Sequence, residues 1–209
     1  MNNDDTDNVI CFIPKNWVRY TDATMDFYYN PVEYEIRVDS NTKPYCHYYG
    51  DNSIPSQPLG LTDLYMTFAF FEGKYIDLSL WDFTNIKNVS KLFYNCRNLQ
   101  GFNLGSFNCQ SITNTDGMFS FCINLKQIEL VGCNFKHLTS MNEMFQCCAK
   151  LETLNVQGWY LPKLKSMRAF CENDVLLTEL LMNDWFLPTI IDDNNAFFGC
   201  YLLDKRNSM

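Results

Sequence analysis

Ten cysteines and two histidines are the side chains of this 209-residue chain best suited to metal or thiol chemistry. Cys147 and Cys148 stand side by side in SMNEMFQCCAKLETLNV, and Cys46 precedes His47. A structural zinc site needs about four ligands converging in a tetrahedron, roughly 2.3 Å from each sulfur. Cys96, Cys122 and Cys148 instead recur every 26 residues, since 122 − 96 and 148 − 122 both give 26. They form a line along a repeat, and a line does not converge. Helices packed about 8–10 Å apart would also hold such cysteines beyond the roughly 7 Å reach of a disulfide. Cys46 and His47 point apart if they lie on a strand, and no third group is there to orient them, so a thiol enzyme finds no support. No phosphate-binding glycine loop and no His-Glu-x-x-His is present. The expectation is therefore no catalytic residue, no metal and no cofactor. Cys148 should be a buried space filler and Cys147 the more exposed, more alkylatable thiol.

The interval governs whole columns. Phe93, Phe119 and Phe145 share it, as do Leu99, Leu125, Leu151, Leu177 and Leu203. A large residue recurs at Trp81, Phe107, Trp159 and Trp185, with Cys133 the exception. Val89, Leu92, Phe93 and Cys96 have the i, i+3, i+4, i+7 spacing of a short helix, repeated by Met141, Met144, Phe145 and Cys148. Phe102-Asn103-Leu104 and Leu154-Asn155-Val156 alternate as half-buried strands do. Each unit is thus expected to be strand, turn and helix. No unit buries both faces alone, so the units should stack into an α/β repeat solenoid with a parallel sheet on one face. Met66 and Phe70 place a partial first unit one period before Leu92 and Cys96, while Asp193 and Ala196 mark a degraded last one.

In MFSFCINLKQIELVGC and MFQCCAKLETLNVQGW a Met-Phe pair, a Cys three residues after the Phe and a Leu-x-x-Leu-x-Leu strand recur together. These columns resemble the BspA-like leucine-rich repeats of bacterial, protist and viral proteins, over roughly residues 60–203. The resemblance implies leucine-rich-repeat-like strand-turn-helix units. It also implies binding to other macromolecules, because members of that family are largely surface or adhesion proteins.

Residues 1–59 carry no repeat column. PVEYEIRVD alternates as a strand, Val9–Ile13 and residues 26–29 are weaker strands, and the breaker-rich SIPSQPLG closes the section. A small β-rich cap over 1–59 and a repeat solenoid over 60–209 are the expected domains. The formal net charge of −8 disfavours nucleic acid as the main partner. Acids at the N-terminus and Pro14 after Val9–Ile13 argue against an export signal. A cytoplasmic or host-cytoplasmic location follows, ahead of a secreted or surface one, and no apolar run approaches the roughly 20 residues that span a bilayer.

The outward strand positions are Asp77 in the first full unit and Asn103 in the next. Gln127 and Glu129, then Thr153, Asn155 and Gln157, then Glu179 continue the face, which has no Lys or Arg among these residues. Such a face suits a protein partner. The chain is accordingly read as a non-enzymatic protein-protein interaction module acting through this face or through the N-terminal part. A phage or viral inhibitor occupying a host defence enzyme, or an adhesin-like surface protein, are the alternatives.

Overall fold

The computed structural model describes four N-terminal strands, Gln57, and residues 61–188 and 191–206. The first strands are β1 (Val9–Ile13), β2 (Trp17–Tyr20), β3 (Tyr34–Val38) and β4 (Tyr45–Tyr48); β1 pairs antiparallel with β3, and β2 with β4. The expected strands near 9–13 and 32–38 are present. β2 and β4 carry no clear alternation and were not expected, and residues 26–29 lie outside the described residues.

From Asp63 onward the chain is a stack of repeat units joined in parallel. Asp63 bridges Asn88, Asn88 bridges Asn114, and the line continues through Ser140, Ser166 and Asp192; units 1 to 6 are numbered from these residues. Each of the first five carries a short strand: β5 (Tyr75–Asp77), β6 (Gly101–Asn103), β7 (Gln127–Glu129), β8 (Thr153–Asn155) and β9 (Glu179–Leu181). The middle residues Ile76, Ile128 and Leu154 turn into the core, as period-two alternation requires.

The helices are not there. Among the described residues the only one is α1 (Tyr201–Arg206), beyond the last full unit. The stripe from Val89 to Cys96 is a run of tight turns: the N–H groups of Leu92, Tyr94 and Cys96 return to the carbonyls of Val89, Lys91 and Phe93 at 3.1, 3.0 and 3.3 Å. Between them, the N–H groups of Lys91, Phe93 and Asn95 donate to Asp116, Met118 and Ser120 of the next unit at 2.8, 2.9 and 2.8 Å. An α-helix keeps its interior N–H groups within itself and could not link units this way. Both conformations satisfy the same side-chain spacing, so periodicity alone did not separate them. The turns require left-handed backbone at Lys91 (φ 56°) and Asn95 (φ 58°), repeated at Glu143 and Cys147. For a non-glycine residue that costs about 1–2 kcal/mol, which the bonds between units must offset.

Unit 1 also corrects the register. Met66 and Phe70 share the left-handed positions of Lys91 and Asn95, not the places of Leu92 and Cys96, and Phe68 is the counterpart of Phe93: its N–H donates to the Leu92 carbonyl at 2.9 Å, and the two rings stack at 6.0 Å. Asp63 pairs with Asn88, an offset of 25, whereas Tyr75 pairs with Gly101, an offset of 26. Unit 1 is one residue short between those points.

The stacked rings continue from Phe93 to Phe119 at 5.2 Å and from Phe119 to Phe145 at 5.7 Å. Cys96, Cys122 and Cys148 are buried beside them, and their thiols donate to the carbonyls of Phe68, Phe93 and Phe119 at 3.0, 3.1 and 3.2 Å. Main-chain pairing sets a spacing of about 4.8 Å between paired strands, so the separation argued from helix packing does not apply. Each thiol is engaged by a carbonyl instead.

Unit 5 breaks the pattern and compensates. Phe170 and Cys171 stand one period after Met144 and Phe145, so large and small exchange places, and Phe170 packs edge-on to Phe145 at 5.1 Å. Asp174 takes the cysteine position. It is fully buried, its Oδ1 accepts the Cys148 N–H at 2.8 Å, and its Oδ2 has no partner. Burial pushes its pKa up to about 9, far above the unfolded value near 3.9. The folded state thus holds the proton more tightly, and this contribution to stability is complete below about pH 4 and is lost as pH rises towards 9, by about 1.4 kcal/mol per unit. Asp174→Cys should abolish that slope. Urea denaturation of both proteins between about pH 5 and 8.5 checks it, and equal slopes would contradict the burial of this carboxyl.

Candidate binding site at a break in the sheet

The structure places all eight candidate residues on the strand side of the stack or the turn that follows it. Asp77, Gln127, Glu129 and Glu179 are exposed, while Asn103, Thr153, Asn155 and Gln157 are half-buried. Several hold the fold. Asp77, Asn103 and Asn155 each accept, through Oδ1, the N–H two residues on, from Ser79, Gly105 and Gln157 at 2.8, 2.9 and 3.3 Å. These are Asx turns that end the strand. Thr153 Oγ1 donates to Glu179 Oε2 at 3.3 Å. Gln127 and Glu129 lack such structural bonds among the described residues, which leaves them the freest of the set.

The face is not continuous. β5 pairs with β6, β7 with β8 and β8 with β9, but β6 does not pair with β7. Leu78, Leu130 and Val156 donate their N–H groups to Asn103, Asn155 and Leu181 of the next unit at 2.7, 2.9 and 2.9 Å; Leu104, in the same column, makes no such bond to Glu129. Gly101, Thr153 and Glu179 reach back to Lys74, Lys126 and Glu152 at 3.3, 3.2 and 3.1 Å, and Gln127 does not reach Gln100. Units 2 and 3 nevertheless stay joined on either side of the gap. Asn124 Nδ2 donates to the Arg97 carbonyl at 2.6 Å, and the Thr139 N–H to the Thr113 carbonyl at 3.0 Å. The result is an open cleft of about 550 Å³.

Its cause is the one exception in the large-residue column. Trp159 and Trp185 donate their indole N–H groups to the main-chain carbonyls of Leu130 and Val156 in the preceding unit. Phe107 has no such group but packs edge-on against Phe83 at 5.0 Å. Cys133 offers neither a ring nor an indole N–H to reach the Leu104 carbonyl; its thiol bonds only to that of Cys109 in unit 2, a smaller tie than the rings and indoles of its column mates.

Phe102, Leu104, Phe107 and Leu130 line the cleft with the thiols of Cys109 and Cys133. Asn103, Ser106, Asn108, Gln110 and Asn134 add amides and a hydroxyl, and Glu129 is the one charged side chain in the lining. The hydrogen bond between the two thiols holds Cys109 below the usual thiol range and pushes Cys133 above it, burial adding to the latter. The arrangement suits an apolar ligand with neutral or cationic polar groups.

The remaining sequence candidates stay apart. Cys147 is the one half-buried cysteine among those described, as expected, yet desolvation and the neighbouring Asp174 raise its pKa and lower its reactivity near neutrality. His137 lies on the exposed surface with Nδ1 3.2 Å from Lys163 Nζ. Among the described residues no three of His, Cys, Asp and Glu are grouped as a metal site would require, and no helix is long and apolar enough to cross a membrane.

Residues 62–185 match the family described as "Mycoplasma protein of unknown function, DUF285". The match spans more than half of the chain, which belongs to that family. No curated protein and no solved structure matches it.

Two glycines test the break. Gly105 and Gly132 both have positive φ, 56° and 70°. A Cβ on Gly105 would stand 2.7 Å from the Ser79 carbonyl oxygen, whereas one on Gly132 would meet nothing within 4 Å. Both alanine variants should carry the left-handed strain of about 1–2 kcal/mol, and Gly105→Ala should lose clearly more, measured by thermal denaturation. Equal losses would mean that units 2 and 3 are as tightly apposed as units 1 and 2.

Proposed function

We propose that this chain is a non-enzymatic module that docks a protein partner through the strand side of its repeat stack. The observation that carries this reading is the cleft itself: an apolar floor opens within a polar strand face, and Glu129 is the only charge in its lining. Specific interfaces combine an apolar, desolvated centre with a polar rim in this way. The net charge of −8 favours a neutral or basic partner surface over nucleic acid.

The likeness of the repeat columns to BspA-like leucine-rich repeats supports a solenoid architecture and a macromolecular partner. A capping role for the N-terminal part is supported by unit 1, where Leu64 and Phe68 are fully buried although no repeat precedes them. Gln57 further ties that junction: it pairs its amide with the Asp82 backbone, donating at 2.8 Å and accepting at 2.6 Å. A reducing compartment such as the cytoplasm is supported by the column thiols, whose S–H groups serve as donors to main-chain carbonyls.

Gln127→Arg combined with Glu129→Arg changes the face without touching the Asx turns. A photo-crosslinker placed at the exposed Tyr75 should capture one discrete protein with the native face and lose it in the double variant, with circular dichroism unchanged. Capture that survives the double change, or crosslinks confined to sites remote from the strand face, would overturn the reading.

A further inference from the structure

We propose that the cleft between units 2 and 3 accepts an extended peptide strand, apolar at alternate positions and otherwise uncharged or basic. This rests on the docking role above and adds the mode of recognition. Leu104 and Glu129 line the opening, and Gln100 and Gln127 stand beside it along the same two chain segments, outside the lining, with main-chain groups that other units use and these do not. The N–H groups of Leu104 and Gln127 make none of the inter-unit bonds of their column mates. The carbonyls of Gln100 and Glu129, the positions that accept in other units, receive none from units 2 and 3. Donors and acceptors on parallel edges are what an added strand satisfies, with affinity from main-chain pairing and specificity from alternate side chains.

The lining fits the same ligand. One side-chain row of an extended peptide would descend onto Phe102, Phe107 and Leu130, and the other would meet the amides of the rim. Glu129 as the lone lining charge, in a chain of net charge −8, selects against acidic peptides and for basic ones. A volume of about 550 Å³ falls in the range of built ligand sites. A compact neutral ligand would use the apolar floor but leave both strand edges unpaired, so the peptide accounts for more of what the cleft presents.

The test is a displayed random-peptide library selected against the full chain, followed by calorimetric titration of the synthesised peptides against variants. Cys133→Trp restores the large-residue column and offers an indole N–H to the Leu104 carbonyl, closing the cleft as Trp159 closes the next interface. Asn134→Arg places a cation on the exposed rim and leaves the core alone. Selected peptides should be apolar at alternate positions and should lose at least about tenfold in affinity with either variant. If Cys133→Trp does not fold, Asn134→Arg decides. Peptides that bind both variants as they bind the native chain, or a cleft that takes only compact neutral fragments, would overturn the proposal. Loss of the crosslinked partner in Gln127→Arg/Glu129→Arg, with its capture unchanged in Cys133→Trp, would sink the cleft proposal while the docking reading stands. Retention of that partner in all variants would sink both.

Discussion

Everything in this stack depends on one constraint: every second main-chain N–H along the turn segment must find its acceptor in the following unit. Lys91, Phe93 and Asn95 do so towards unit 3, and Glu143, Phe145 and Cys147 repeat it from unit 4 to unit 5 at 2.8, 2.9 and 2.9 Å. A buried N–H left without a partner costs about 1–3 kcal/mol, so no unit is stable without the next. That requirement fixes the repeat length, forces the left-handed residues and rules out helices in this segment. It also brings the cysteine column into close register, where each thiol finds a carbonyl.

The polar line at the start of each unit answers the same constraint with side chains. Asn88 and Asn114 turn their own Oδ1 onto the N–H two residues on, at 2.9 and 2.7 Å. Where Ser140 and Ser166 lack the reach, Asp116 and Asn142 of the preceding unit take over, accepting from the N–H groups of Asn142 and Arg168 at 2.7 and 2.8 Å. Substitution at a column position is therefore tolerated when a neighbour supplies the missing acceptor or volume, as Phe170 and Cys171 also show. Cys133 is the position where no neighbour does, and the stack opens there.

The repeat length, the buried columns and the parallel strands were legible because identical side chains recur at identical depth. The conformation between the strands was not. An i, i+3, i+4, i+7 stripe fits a helix and a run of tight turns equally well, and the left-handed positions are mostly held by residues other than glycine, Lys91, Asn95, Glu143 and Cys147 among them. Gly117 was the one central hint. The register of unit 1 slipped because a single residue is missing, a change that no local pattern marks. Asp77, Gln127, Glu129 and Glu179 of the outward set are exposed, but the structural work of Asn103 and Asn155 and the absence of pairing between β6 and β7 are tertiary facts. Cys133 was visible as an exception; that it separates two units followed only from the indole bonds made on the other side.

A repeat protein that interrupts its own sheet places unpaired main chain and an apolar floor at one point of an otherwise polar face, and this links the packing defect to the binding proposed for it. Native-state amide hydrogen exchange tests the link most directly. The Leu104 N–H should exchange at least about tenfold faster than those of Leu78, Leu130 and Val156, its three counterparts with acceptors in the following unit. Equal protection at all four positions would show an uninterrupted ladder and contradict the account.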